Sequence, residues 1–358
     1  MIEAVRFVLS CIVLEAHIWP LGVPWLAWAS VFGFYTLSGF LMVRVLTTRY
    51  GFGVRNFFCF IANRVLRLWP AYLVVLGLTA VGMTAFRLSE IYRVIQLPTQ
   101  PSGVLVNLTV LGLVGLDFRH EAAMPMMVGN IWSLSVEMFC YMLLALYFAK
   151  TKSRLWALAA LGAVMIAWST ANCAVQPPDA AAFYGGYCFQ NRYGVLQAGF
   201  IPFALGGLLY LHAEAAARVV KLHGVAIAAA LVGCLALIGA IPVLQFTLAP
   251  FFGSVLVGCA VVCGRGGARR RTIIDFFGRA SYHLFIAQWI VAAALIRIMG
   301  LARDSFVLCL ATLIVSLGLS FLLVPLEWRI ERYRRRVAPL TVSRFAAAEP
   351  LPAQLEAN

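Results

Sequence analysis

Three ionisable residues interrupt the opening stretch VRFVLSCIVLEAHIWP, which otherwise reads as a membrane helix: Arg6, Glu15 and His17. A charge in hydrocarbon costs a few kcal/mol even on lenient scales, so such a residue is first of all a functional candidate. Eleven helical steps of about 100° return to within about 20° of the starting face, with a rise of about 16 Å. Arg6 and His17 therefore share a face, Arg6 near the cytoplasmic entrance and His17 at mid-depth or beyond. Glu15 points about 200° away from His17 and stays unexplained. Alone, Arg6 reads equally well as a snorkelling anchor. His17 reads as a structural imidazole or as a base, and its intramembrane setting favours the second. The stretch NIWSLSVEMFCYMLL supplies a matching acid, Glu137, the only one in its segment. A carboxylate bonded to an imidazole orients a general base and stabilises its charged form, so Glu137 is expected to support His17. Trp132, Ser133 and Ser135 surround Glu137 as supporting residues.

Two further stretches suit a ligand that enters from the Arg6 side. In FGFYTLSGFLMVR, the run Ser38, Gly39 and Phe40 lets a ligand pass close to backbone, although small residues equally serve helix packing. In ANRVLRLWPAY, Arg64 and Arg67 stand at i, i+3 on one side of a helix just before Pro70. They anchor the helix at the inner interface or clamp phosphates, for which guanidinium forks are well shaped.

These residues must be positioned by membrane helices. The chain is 63% hydrophobic and only 12% charged over 358 residues, with apolar runs recurring along its length. The fold class expected is an all-α integral membrane protein of about ten transmembrane helices, both termini cytoplasmic. The spans fall near 5–20, 28–46, 70–86, 131–149, 154–171, 194–212, 222–240, 243–263, 281–299 and 304–326. Residues 1–340 form the membrane domain and 341–358 a short disordered cytoplasmic tail. A cleaved signal peptide is disfavoured, because Glu15 and His17 would interrupt its apolar region. Residues 103–116 are too few to cross comfortably. With that segment kept outside, 22 of the 28 basic residues lie on the cytoplasmic side, which explains the net charge of +14 without nucleic acid. The segment 87–130 then becomes an outer excursion whose charged residues (Arg87, Glu90, Arg93, Asp117, Arg119, His120, Glu121) are either an acceptor surface or a merely solvated loop. The nine cysteines show no metal-type spacing. Cys173 and Cys188 share one loop and could pair in an oxidising compartment.

Taken in order, Arg6-x10-His17, FYTLSGFL at 34–41, RVLRLWP at 64–70 and WSLSVE at 132–137 resemble the acyltransferase 3 family of ten-span membrane enzymes. Fainter matches are GRASYHLFIAQ at 278–288 and WRIERY at 328–333. Gln288 stands where the family usually has histidine, and Tyr333 where it usually has proline. The resemblance implies acyl transfer, usually of acetyl from cytosolic acetyl-CoA, to a hydroxyl of an extracytoplasmic carbohydrate or glycolipid. The setting implied is a lipid bilayer, with the bacterial cytoplasmic membrane expected. Acyl-CoA is then a co-substrate, and no cofactor is bound. It implies donor phosphates at Arg64, Arg67 and Arg6, an acyl-pantetheine arm passing Ser38, Gly39 and Phe40, and His17 acting with Glu137 on the acceptor hydroxyl. His17 would be a general base or a transient acyl carrier. The rival reading is a permease in which Arg6, His17 and Glu137 relay protons, and a third is a catalytically inactive assembly partner. The absence of an inverted repeat counts mildly against the permease.

Overall fold

A computed structural model describes residues 2–19, 25–92, 94–111, 126–174, 192–240, 245–263 and 272–337. Among these residues there is no strand. The helices are α1 (Ile2–Ile18), α2 (Trp25–Val45), α3 (Val54–Phe86), α4 (Pro101–Thr109), α5 (Ile131–Leu146), α6 (Lys152–Ala174), α7 (Phe200–Leu211), α8 (Ala213–Ala240), α9 (Gln245–Cys263), α10 (Thr272–Met299) and α11 (Phe306–Val337). Every expected span falls on one of them. Six are long and apolar enough to cross a membrane, on α2, α3, α6, α8, α10 and α11. The chain is a multi-pass membrane protein. The expected tail after 341 and the Cys173–Cys188 pair lie outside the described residues, as do Arg93, Asp117, Arg119, His120 and Glu121.

Helix α2 is the axis of the bundle, with most of its 21 residues buried, and it packs against α7, α9, α1 and α5. Its contact with α7 depends on missing side chains. A Cβ at Gly206 would strike the Thr36 carbonyl and approach Phe40 N to 2.7 Å, and one at Gly39 would meet the Phe203 backbone. Small residues that let backbones approach are the usual adhesive between helices in lipid, where no hydrophobic gain separates helix from solvent.

Contacts set the directions of the helices. Glu3 lies beside Gly278, Ser10 Oγ donates to the Ser281 carbonyl at 2.9 Å, and His17 meets Trp289, so α1 and α10 run parallel. Trp28 and Trp132 both pack on Tyr193, while Ser38 bonds Glu137, so α2 and α5 also run parallel.

The excursion after α3 folds back into the bundle. Helix α4 spans only about 13 Å, too short to cross. Its end is held by α3, since Trp69 Nε1 donates to the Leu108 carbonyl at 2.9 Å and Tyr72 OH to that of Asn107. Asn107 Oδ1 in turn accepts from Met127 N at 2.9 Å. Helix α5 therefore starts in the interior: Val128, Asn130 and Ile131 are all buried. Trp132 is half-buried against Tyr193 at this helix start.

The glycine contact gives the first prediction. Gly206→Val drives a branched side chain into α2 backbone, and overpacking of this kind costs about 1–3 kcal/mol or more. Thermal unfolding in detergent should show a clearly lowered midpoint, whereas Gly224→Val, at a position with nothing within 4 Å, should not move it.

Candidate functional site

A cavity of roughly 890 Å³, its open mouth included, runs between α1, α2, α3, α5 and α10. Along α2 its lining extends from Met42 to Val31, about 16 Å of helix at 1.5 Å per residue. Arg6 of α1 with Arg64 and Arg67 of α3 line one end. The three-residue spacing of Arg64 and Arg67 puts them one above the other on a single face of α3, and that face meets the cavity. Arg64 is buried and lies over the Phe60 ring, 5.4 Å from its centroid. A second cavity of about 790 Å³ adjoins this end. It shares Arg6 and Arg67 and adds Arg279, Glu327 and Glu331. Behind it the fully buried His283 places Nε2 3.0 Å from Glu327 Oε1, and Arg279 reaches the other oxygen at 4.0 Å.

Midway along the cavity stands Glu137. Ser38 Oγ donates to its Oε1 at 2.9 Å and Tyr141 OH to its Oε2 at 3.2 Å, so each carboxylate oxygen has a partner. Arg6 and Arg67 lie within electrostatic reach of it. Tyr141 is one helical turn from Glu137 and thus on the same face of α5. Beyond Glu137 the walls become apolar, closing around Val31, Ile131, Phe285 and Ile286.

His17 lies outside this cavity. Its ring packs at a tilt against the indole of Trp289, with the ring centres 4.9 Å apart, and the Gln288 side chain lies alongside it. Those two residues sit about 3–5 Å further along α10 than Ile286, the last cavity-lining residue of that helix. The expected bond between His17 and Glu137 is therefore not made. The reason is geometric: Glu137 faces Ser38 partway along α2, while His17, eleven residues after Arg6, lies at Trp289, beyond the last cavity-lining residue of α10. The shared face of Arg6 and His17 is real, since both positions of α1 lie along α10 and the cavity it borders.

The other expected site residues divide sharply. Arg6, Ser38, Arg64, Arg67, Glu137 and Ser133 meet at one cavity. Gly39 faces the α7 backbone, and Phe40 is buried edge-on against Tyr210 at 5.6 Å. Trp132 packs on Tyr193 at 4.8 Å, and Ser135 is buried away from the cavity lining. Four polar lining residues carried no expected role: Tyr35, Tyr141, Ser281 and Tyr282. Tyr141 was detectable as the polar residue one turn from Glu137. Tyr282, whose OH donates to the Leu68 carbonyl at 3.1 Å, ties α10 to the arginine-bearing helix.

No curated protein and no solved structure matches the chain significantly. The family profile described as "acyltransferase domain" (acyltransferase 3) matches residues 2–324, nearly the whole chain and every residue of the cavity except those of the adjoining vestibule on α11. With its bundle of apolar helices and its charged internal cavity, the chain belongs to the acyltransferase 3 family and is a membrane acyltransferase.

Proposed function

We propose that the protein is an O-acetyltransferase that moves acetyl from acetyl-CoA to a hydroxyl of an extracytoplasmic carbohydrate or glycolipid, in the bacterial cytoplasmic membrane. The observation that carries this reading is the cavity with three guanidinium groups at one end and an apolar-walled passage beyond them. Phosphates of the donor pair with Arg64, Arg67 and Arg6, because guanidinium forks offer parallel, charge-assisted hydrogen bonds. The pantetheine arm extends past Ser38 and Glu137 toward Ile131 and Phe285. Glu137, already accepting from Ser38 and Tyr141, has lone pairs left for the amide N–H groups of that arm. Its role in this reading is to hold the donor rather than to orient the imidazole.

The acceptor hydroxyl approaches from the His17 end. His17 takes the hydroxyl proton as the oxygen attacks the thioester carbon. The new C–O bond forms, the C–S bond breaks, and the proton passes to the departing thiolate. The thioester reaches the imidazole past Phe285 and Ile131, the apolar closure of the cavity.

Two predictions separate these roles in proteoliposomes fed labelled acetyl-CoA. Arg64→Ala and Arg67→Ala each remove charge-assisted bonds worth about 1.5–3 kcal/mol, so KM for acetyl-CoA should rise about tenfold or more while kcat changes less. His17→Ala should lower kcat by about 10²–10⁴-fold with KM for the donor nearly constant, the scale of general-base loss. Full acyl transfer by His17→Ala together with lost solute uptake would instead overturn the base role of His17 and assign it to a transport path.

A further inference from the structure

The His17 imidazole is held by a buried network that joins α10 to the start of α5. Trp289, against which the ring packs at a tilt, donates its indole N–H to Asn130 Oδ1 at 2.7 Å. Asn130 Nδ2 donates to the Phe285 carbonyl at 2.9 Å, and Gln288 Nε2 donates to that same carbonyl at 3.1 Å. The indole can lie this close because residue 129 is glycine: a Cβ there would come within 2.8 Å of Trp289 Cδ1. Asn130 is 3% exposed and Gln288 is fully buried, so neither bond competes with water.

Two atoms at the centre of this network are left over. His17 Nδ1 and Gln288 Oε1 are both buried and meet no other hydrogen-bond partner, and the two side chains interact with each other. A buried polar atom without a partner costs about 1–3 kcal/mol. The orientation of the Gln288 amide is decided by chemistry: its nitrogen must face the Phe285 carbonyl, which can only accept, so the oxygen is the atom it has to offer. An imidazole carrying its proton on Nδ1 satisfies both orphans by donating to Oε1.

From this we infer that Gln288, Asn130 and Trp289 are positioning residues for His17. Gln288 selects the tautomer with hydrogen on Nδ1, which leaves the lone pair on Nε2 as the proton acceptor. Trp289, braced by Asn130, fixes the plane of the ring. Because Asn130 also begins α5, the brace sets the imidazole in register with the helix that carries Glu137. The inference rests on the general-base reading of His17 and names what makes that base competent.

The test uses the full chain in liposomes, with ¹⁵N-histidine labelling to read the tautomer. The chain has five histidines, and the His17 signals are those lost in His17→Ala. Wild type should show Nδ1–H. Gln288→Met, similar in volume but without the acceptor, should shift the population toward Nε2–H and lower kcat about 10- to 100-fold, as when a residue orienting a functional histidine is lost. KM for acetyl-CoA should stay within about twofold, which a general loss of structure would not produce. Trp289→Phe keeps a stacking ring and loses the brace, so it should lower kcat in the same way, and Asn130→Asp, which keeps the acceptor for the indole, should retain more turnover than Asn130→Ala. An unchanged tautomer and unchanged kcat in Gln288→Met, beside a His17→Ala that abolishes turnover, overturns the inference alone. Full turnover by His17→Ala overturns the general-base reading itself, and the inference with it.

Discussion

A carboxylate among apolar helices is stable only if the groups around it replace the water it has lost, and Glu137 imposes that condition on four helices at once. Its two oxygens take one hydrogen bond from α2 and one from its own helix, while Arg6 and Arg67 bring positive charge from α1 and α3. Each partner arrives by a rotation that cannot be altered alone. Ser38 faces Glu137 only if Gly39, about 100° further round α2, faces α7. Gly39 can do so because neither it nor Gly206 has a side chain at the crossing. The polar contact and the close packing of α2 are thus two consequences of one rotation.

The same helix directions bring unlike ends of the chain together. Because α1 and α10 run parallel, residues near the amino terminus meet the late segment 278–289 in order: Glu3 at Gly278, Ser10 at Ser281, His17 at Trp289. Arginine and histidine placed eleven residues apart on α1 are thereby delivered to different levels of α10, Arg6 at the cavity and His17 beyond it. The start of α5 lies among buried residues, which leaves Asn130 to be satisfied inside the protein.

Much of this was legible in the sequence. Helical arithmetic on Arg6 and His17, the i, i+3 spacing of Arg64 and Arg67, and the lone acid of α5 identify residues that meet or border one cavity. The described part of 103–116 lies mostly on α4, a helix too short to cross. What the sequence could not convey is which of two neighbours faces the ligand. Ser38, Gly39 and Phe40 are indistinguishable as a run, yet only the first lines the cavity, because the other two are claimed by α7 and Tyr210. The expected His17–Glu137 pair failed for a related reason. Residue chemistry makes them natural partners, but their depths depend on where α5 starts, and that is fixed by long-range bonds of Asn107, Met127 and Asn130 that no periodicity reveals.

The separation of His17 from Glu137 changes what the polar residues have to accomplish. If both had met at one point, a single acid–imidazole pair would have served donor and acceptor alike. Instead the charged groups that suit a phosphorylated donor are gathered on the Glu137 side of an apolar closure, and the imidazole lies beyond it against an indole. Apolar side chains between two polar sites hinder water from joining them, so the proposed donor and acceptor sites would be kept apart by Val31, Ile131, Phe285 and Ile286. Phe285 serves both sides: its ring closes the cavity, and its carbonyl receives the bonds from Asn130 and Gln288 that hold the histidine's surroundings in place. A change of backbone there would disturb the cavity wall and the imidazole's setting together.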